Sequence, residues 1–235
     1  MATSGVCDSW KQEVMQGGHC FNATVVANGN THTTFVVDTI ASTAGLSVGM
    51  AVSDGVVDIP ANTVIAAIQS ATAITLSQAA LGTHSSHSIT YTADIFNILL
   101  IKASPGHTFD HTQTNVGTPG TSAPTTSNVG TDEVTGTGYV SGGVALTNVS
   151  PSLPGSPAGV ATVTFSPNPS WTSATFSTTA AIIYNTSTRM GAAAAPLNGR
   201  TVAVYDFGGT QTVSSGTLTL VMPTNDGTNA ILRIA

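Results

Sequence analysis

The chain has 235 residues, a formal net charge of −6 from 11 acidic and 5 basic side chains, and only 7% charged residues, against about 25% in ordinary soluble domains. Its scattered cations exclude a nucleic-acid binder, which needs clustered Lys and Arg to neutralise phosphates. No apolar run approaches the roughly 20 residues of a membrane span, and residues 1–5 do not begin a signal peptide, so we expect synthesis in a cytoplasm and no membrane contact.

The first predicted element is a helix over residues 4–17. Ser4 can cap its start, Gly17 and Gly18 can end it, and one apolar stripe runs along it: Val6, Trp10 and Val14. Trp10 is expected to anchor the helix in a core or on a partner. Cys7 and Cys20 leave two interpretations open, namely two small buried thiols or a disulfide, formed either between them or between subunits.

Short segments rich in Val, Ile and Thr follow, separated by Gly, Asn, Pro and Ser, and they predict strands. The first group forms a self-contained small β module over 23–93, with strands near 23–27, 33–40, 50–57, 63–69, 73–78 and 87–92. The run 94–103 is apolar on every face, which favours a central strand covered on both sides over a buried helix.

Residues 104–131 contain three prolines, many Gly, Thr and Ser, and almost no aliphatic side chains. So long a loop is uncommon in a compact domain, and we expect an extended arm that orders on a partner. Further strands are predicted near 133–140, 143–149, 159–166, 173–184, 201–207, 216–222 and 229–234, with an Ala/Gly-rich loop at 188–199. The predicted fold is all-β, a β-sandwich or barrel-like domain with one short N-terminal helix.

No sequence motif for catalysis or phosphate binding is present, and the 11 acids show no spacing that selects a catalytic pair. His84 and His87 form one histidine pair, and His107 and His111 flank Asp110 in another. Imidazoles with a carboxylate can hold zinc, but both groups lie in loop-like sequence. We therefore predict solvated or subunit-contacting histidines, no enzyme activity, no cofactor and no metal site. A metal held by His107, Asp110 and His111 across a symmetry axis remains a hypothesis.

The chain resembles a family of tailed-bacteriophage virion proteins in an ordered set of short blocks. These blocks are Cys7-Asp-Ser-Trp-Lys-Gln-Glu13, His19-Cys-Phe21, Asp94-Ile-Phe-Asn-Ile98, Glu133-Val-Thr-Gly-Thr-Gly-Tyr-Val-Ser-Gly-Gly143, Ser170-Trp-Thr172, Ala181-Ile-Ile-Tyr-Asn185, Ala203-Val-Tyr-Asp-Phe-Gly-Gly209 and Thr228-Asn-Ala-Ile-Leu-Arg-Ile234. Residues 23–93 interrupt them as an insert, similar to small β modules of other phage and bacterial surface proteins through Leu46-Ser-Val-Gly-Met50 and Ile59-Pro-Ala-Asn-Thr63. The core domain would then be discontinuous, comprising 1–22 and 94–235.

The resemblance implies a structural component of the virion exterior, with the major capsid protein or other virion proteins as partners and a homo-oligomer, for instance a trimer, as its assembled form. A capsid decoration or cement protein is the first hypothesis, with a neck, collar, tail or fibre component as the alternative and a carbohydrate-binding module as a weaker one. The predicted partner contacts lie on the helix and the arm: Cys7, Trp10, Val14, His107, Phe109 and His111.

Overall fold

The protein is described from a computed structural model, which defines residues 2–15, 18–155, 158–188 and 197–234. It is 46% strand and 5% helix, in three sheets with one α-helix near the N-terminus, which confirms the all-β prediction. Within these ranges no helix combines the length and the hydropathy of a membrane span. Residues 189–196, most of the predicted Ala/Gly-rich loop, lie outside the described ranges, as do residues 16–17 of the predicted helix.

Two compact units divide the described chain. One is discontinuous and comprises 2–15, 95–188 and the segment from 197, while the other, the inserted unit, comprises 18–94. The predicted insert began at residue 23, but the structure begins it earlier. The reason is a mutual pair of bonds: the amide of Cys20 donates to Asp94 Oδ2 at 2.8 Å, and the amide of Asp94 donates to the Cys20 carbonyl at 3.0 Å. Residues 18–22 are thereby bonded to the last residue of the inserted unit.

The discontinuous unit consists of two antiparallel sheets. The five-stranded sheet has the order β1-β13-β12-β8-β9 and the three-stranded sheet β10-β11-β14. Their strands are β1 Gly5–Val6, β8 Phe96–Lys102, β9 Val144–Leu146, β10 Asn148–Ser152, β11 Ala161–Phe165, β12 Ser170–Asn185, β13 Thr201–Thr219 and β14 Leu232–Ile234. The rings of Phe96 and Phe165, one from each sheet, lie 5.6 Å apart between centroids, so the two sheets pack together.

Strand β8 is the strand that the apolar run predicted. It pairs with β12 on one side and β9 on the other, and the side chains of Ile98–Ile101 are all buried. A strand that is covered on both faces has no polar side to display, and this accounts for the unbroken hydrophobic sequence.

The inserted unit contains a six-stranded antiparallel sheet of order β4-β7-β2-β3-β6-β5. Its strands are β2 Val25–Thr31, β3 Val36–Asp38, β4 Ala51–Asp54, β5 Ile65–Ser70, β6 Ala73–Leu76 and β7 His84–Thr92. The two outer strands are connected by a bridge between Ala51 and Val64 and by two hydrogen bonds of 2.9 Å, from the Ile65 amide to the Met50 carbonyl and from the Val52 amide to the Thr63 carbonyl. The sheet therefore closes on itself around an apolar core that includes Met50, Ile65 and Tyr91.

The N-terminal helix is shorter than predicted. Helix α1 spans Asp8–Met15, whereas Gly5 and Val6 form strand β1 on the edge of the large sheet, opposite Val204 and Ala203. Ser4 does not cap a helix, because its hydroxyl accepts a hydrogen bond from the amide of Asp206 at 2.8 Å. Gly5 and Val6, which the local pattern assigned to the first helical turn, pair instead with β13, a strand that is distant in sequence.

Residues 104–131 do not form an extended arm. They fold back onto the discontinuous unit, where the amide of Val116 donates to Gly199 and the amide of Val129 donates to Val116, both at 2.8 Å. Both valine side chains are buried. Backbone groups of the segment are thus paired both within it and with the rest of the unit, which is how a long loop can be ordered.

Candidate functional site

Three of the predicted partner contacts are interior residues. Cys7, Trp10 and Phe109 are buried within the discontinuous unit, and the amide of Thr3 donates to the Phe109 carbonyl at 2.8 Å in a parallel bridge centred on Ala2 and Phe109. These side chains pack the N-terminal segment against the 104–131 segment. The structure therefore corrects their predicted role from partner contact to core packing.

The other three predicted contacts surround the same junction. His111 Nδ1 lies 2.7 Å from Asp8 Oδ2 at an exposed position, and Lys11 forms an ion pair with the other oxygen of Asp8 at 2.8 Å. Hydrogen bonds from Lys11 and then His111 lower the pKa of Asp8. The His107 ring stands edge-on to the Phe109 ring at 5.0 Å, and Val14 is half-buried on the helix. The histidines thus contact their own unit.

Both cysteines are free thiols and both are buried. Burial raises the pKa of Cys7 to about 11, and Cys20 Sγ lies 3.2 Å from Ser47 Oγ. No Cys7–Cys20 disulfide is formed in this structure. A protonated, buried thiol is a poor nucleophile, which applies to Cys7, and Cys20 is shielded from solvent by its burial.

The Glu133–Gly143 block builds a buried polar network. Residues 133–140 do not form the strand that was predicted there. Glu133, at the start of the block, is buried, with 2% of its surface exposed. Its carboxylate accepts hydrogen bonds from Tyr139, from the Ser141 hydroxyl and from the Gly142 amide at 2.9, 2.6 and 2.6 Å. Every oxygen of this carboxylate is occupied by groups of its own loop, as a structural role requires.

An uncharged surface covers much of the discontinuous unit. Residues 134–188 and 207–225 contain no Lys, Arg, Asp or Glu, yet the outer half of β13 is largely exposed and β10 is half-buried to exposed. Large apolar side chains project from this surface, with Val140 71%, Leu153 72% and Val221 80% exposed. We call the exposed side chains of residues 134–188 and 207–225 the uncharged face.

A groove of 450 Å³ opens on the uncharged face. It lies above Ile98 and Ala181 of the five-stranded sheet, and the segment that follows β13 forms its rim. Aromatic and aliphatic side chains dominate its lining: Tyr205, Phe207, Leu218, Leu220, Val221 and Met222. Asp206 and Gln211 also line the groove, so it can accommodate an apolar side chain and has one acidic residue in its lining.

A second polar cluster lies at one end of the closed sheet in the inserted unit. Asp54 ends β4 and its side chain is 1% exposed, while His87 follows the start of β7 and its side chain is 12% exposed. His87 Nε2 lies 3.1 Å from Asp54 Oδ2. The pairing of Asp54 with Ile89 places the two residues at the same end of adjacent strands.

Asp58 and His84 complete this cluster. Asp58 lies in the loop after β4 with its side chain 9% exposed, and His84 Nδ1 contacts its Oδ2 atom. The Thr31 hydroxyl donates to the same oxygen at 3.0 Å. The rings of His84 and His87 are 5.7 Å apart, so two carboxylates and two imidazoles meet over the apolar core.

Sequence reasoning considered His84 and His87 but assigned them to a solvated loop. The structure places both on β7 and brings Asp54 and Asp58 to them. The only available indication was the pair of short spacings, Asp54 to Asp58 and His84 to His87. Among the described residues, the one group of three or more His, Cys, Asp and Glu that could hold a metal is Asp54, Asp58 and His87.

The alternative set of His107, Asp110 and His111 does not meet within the chain. His111 is directed to Asp8, and the Asp110 carboxylate accepts the amide of Thr112 at 2.8 Å. That set stays a hypothesis about a symmetry axis.

Comparison with known proteins gives no match: no protein-family model, curated protein or solved structure is similar to this chain.

Proposed function

We propose that this protein is a structural component of a tailed-phage virion, a capsid-exterior decoration or cement protein that acts by contact and not by catalysis. Its partners would be copies of itself and the major capsid protein. The resemblance of the blocks in 5–22 and 94–235 to virion proteins supports the phage assignment, and the surface chemistry of the discontinuous unit supports the contact role.

The uncharged face carries this proposal. Proteins that stay apart in solution usually display mixed charges, whereas residues 134–188 and 207–225 display hydroxyls, amides and exposed valine and leucine side chains without one ionised group. When another protein covers these two segments, none of their own side chains loses charge hydration, and Asp206 is the one acidic residue that lines the groove. Exposed apolar positions of this kind mark protein contact sites.

The groove supplies a mechanism for attachment. Burial of apolar area contributes roughly 25 cal/mol per Å², so an aliphatic or aromatic side chain of a neighbouring subunit that fills the groove would add stability to the shell. Val221, at 80% exposed, projects at its rim. Repeated over many copies, such modest contacts stabilise a particle.

The location and copy number of the chain on the particle test the proposal. Cryo-electron microscopy of the particle should locate many copies of the chain over the head with the uncharged face against neighbours. A few copies at the neck, collar, tail or fibre would favour the alternative virion position, and absence of the chain from the particle would refute the proposal.

A matched pair of variants tests the face itself. Val221→Asp puts a second carboxylate at the groove, in addition to Asp206, and Val26→Asp puts one at an exposed site of the inserted unit, where Val26 is 64% exposed. We expect Val221→Asp to reduce the occupancy of the chain on virions and Val26→Asp to leave it unchanged. Equal occupancy for both variants would contradict a role of the uncharged face.

A further inference from the structure

We propose that the inserted unit binds one divalent transition-metal ion of the zinc class between Asp54, Asp58, His84 and His87. This inference concerns the inserted unit alone and does not depend on the proposed virion role. It is supported by three observations: the donor geometry, the local charge balance and the types of ligand.

The donor atoms are already gathered. One ligand atom from each of Asp54, Asp58 and His87 lies within 4.8 Å of the others, and His84 contacts Asp58 from the more exposed side, where its side chain is 51% exposed. Zinc binds nitrogen and oxygen at about 2.0–2.2 Å, usually with four ligands at tetrahedral corners. Two carboxylate oxygens and two imidazole nitrogens give that number, with Asp54, Asp58 and His87 already grouped and His84 added through its contact with Asp58.

The charges of the cluster call for a cation. Asp54 and Asp58 carry two carboxylates whose side chains are 1% and 9% exposed and each face a histidine, and burying a carboxylate is costly unless a positive charge compensates it. Residues 18–94 contain no Lys and no Arg, so within this range histidine is the one side chain that could supply a positive charge. A divalent ion with two neutral imidazoles balances two carboxylates completely.

The ligand types select among ions. Imidazole favours zinc and its first-row neighbours, whereas Mg²⁺ and Ca²⁺ prefer sites made only of oxygen. His87 Nδ1 is buried with no hydrogen-bond partner among the described residues. His87 contacts Asp54 through Nε2, so its Nδ1 atom is available to bind an ion. A flip of the ring would offer Nε2 in its place.

Bound metal would connect three segments of the closed sheet. Asp54 ends β4, Asp58 belongs to the following loop, and His84 and His87 begin β7. An ion that binds only the folded unit stabilises it by mass action. The expected role is structural, because the site closes the end of an apolar core.

The test uses the full, tag-free chain after treatment with a chelator. Isothermal titration calorimetry with ZnCl₂ should give one ion per chain, and Co²⁺ in place of zinc should show the d–d absorption of a tetrahedral site. His87→Ala and Asp54→Asn should abolish stoichiometric binding. His84→Ala alters a half-exposed side chain, and it should weaken affinity at least about tenfold; circular dichroism of the variant checks that it is folded.

The control variant is His32→Ala. His32 and Asp38 form another histidine–aspartate pair in the same unit, at 3.2 Å and with side chains 39% and 43% exposed, but no second carboxylate joins them in the metal-capable group. Zinc binding unchanged by His32→Ala and weakened by His84→Ala supports the proposal. Failure of the wild-type chain to bind zinc stoichiometrically, or affinity that His84→Ala leaves unchanged, overturns it.

Discussion

The hydroxyl of Tyr139 donates a 2.9 Å hydrogen bond to Glu133 Oε1 and accepts the amide of Leu100 at 3.0 Å. One phenol thereby connects a buried carboxylate to central strand β8. Burial, followed by the nearby Glu133 charge, raises the pKa of Tyr139 well above its usual range. The phenol therefore stays protonated and always donates to Glu133. The Glu133–Gly143 block thus stabilises the fold.

Tyr139→Phe should lower the free energy of unfolding by about 1–3 kcal/mol, because the Leu100 amide and the Glu133 carboxylate each lose a buried partner. Urea unfolding followed by circular dichroism measures the change. Tyr205→Phe is the matched control, since the Tyr205 hydroxyl is buried with no hydrogen-bond partner among the described residues. Equal losses for both variants would argue against a specific role of the Tyr139 hydroxyl.

Gly82→Ala should destabilise the inserted unit by about 1–3 kcal/mol. A Cβ atom at residue 82 would overlap the Asp58 carboxylate, whereas a Cβ at Gly55 would meet nothing within 4 Å. Gly55→Ala is therefore the control, with no comparable loss expected. Thermal unfolding of the two variants makes the comparison, and a Gly82→Ala protein as stable as wild type would show that Asp58 is not held at this position.

The contribution of Asp132 to stability should disappear in acid. Burial alone would raise the pKa of Asp132, but hydrogen bonds from the Gly106 amide, the Lys102 ammonium and the His107 amide outweigh it and lower that pKa below the ordinary 3.8. A group whose pKa is lower in the folded state stabilises it above the unfolded pKa and stops doing so as pH falls through the folded pKa.

Asp132→Asn should therefore cost about 1–3 kcal/mol near neutral pH, and the gap to wild type should shrink as pH falls below 3.8. Denaturant unfolding at a series of pH values measures it. A gap that is independent of pH would mean that charge is not the source of the effect.

Neither thiol should react in the native protein. Both cysteines are buried, and burial raises the pKa of Cys7 to about 11, so thiolate is scarce at neutral pH. A thiol reagent such as DTNB should label the chain only after denaturation, and then at both Cys7 and Cys20. A shift between reducing and non-reducing gels of native protein would instead reveal a disulfide.

Local pattern was a good guide wherever burial alone shapes a strand. The apolar run 94–103 predicted β8, because two-sided burial is written into consecutive residues. It failed at β13, which was predicted as two strands, 201–207 and 216–222. Gly208, Gly209 and Gly216 suggest turns, but the chain pairs with β12 from Thr201 to Thr219, and this pairing overrides the weak local preference.

The sequence by itself determined the class of this protein: short alternating runs dictate sheets, and scarce charge dictates a surface of hydroxyls, amides and apolar side chains. Only the tertiary structure decided which polar groups meet. Asp54 and His87 are 33 positions apart, and Asp8 and His111 are 103 apart. Strand register brings such residues together, and register depends on pairing across the whole fold, which no local window of sequence contains.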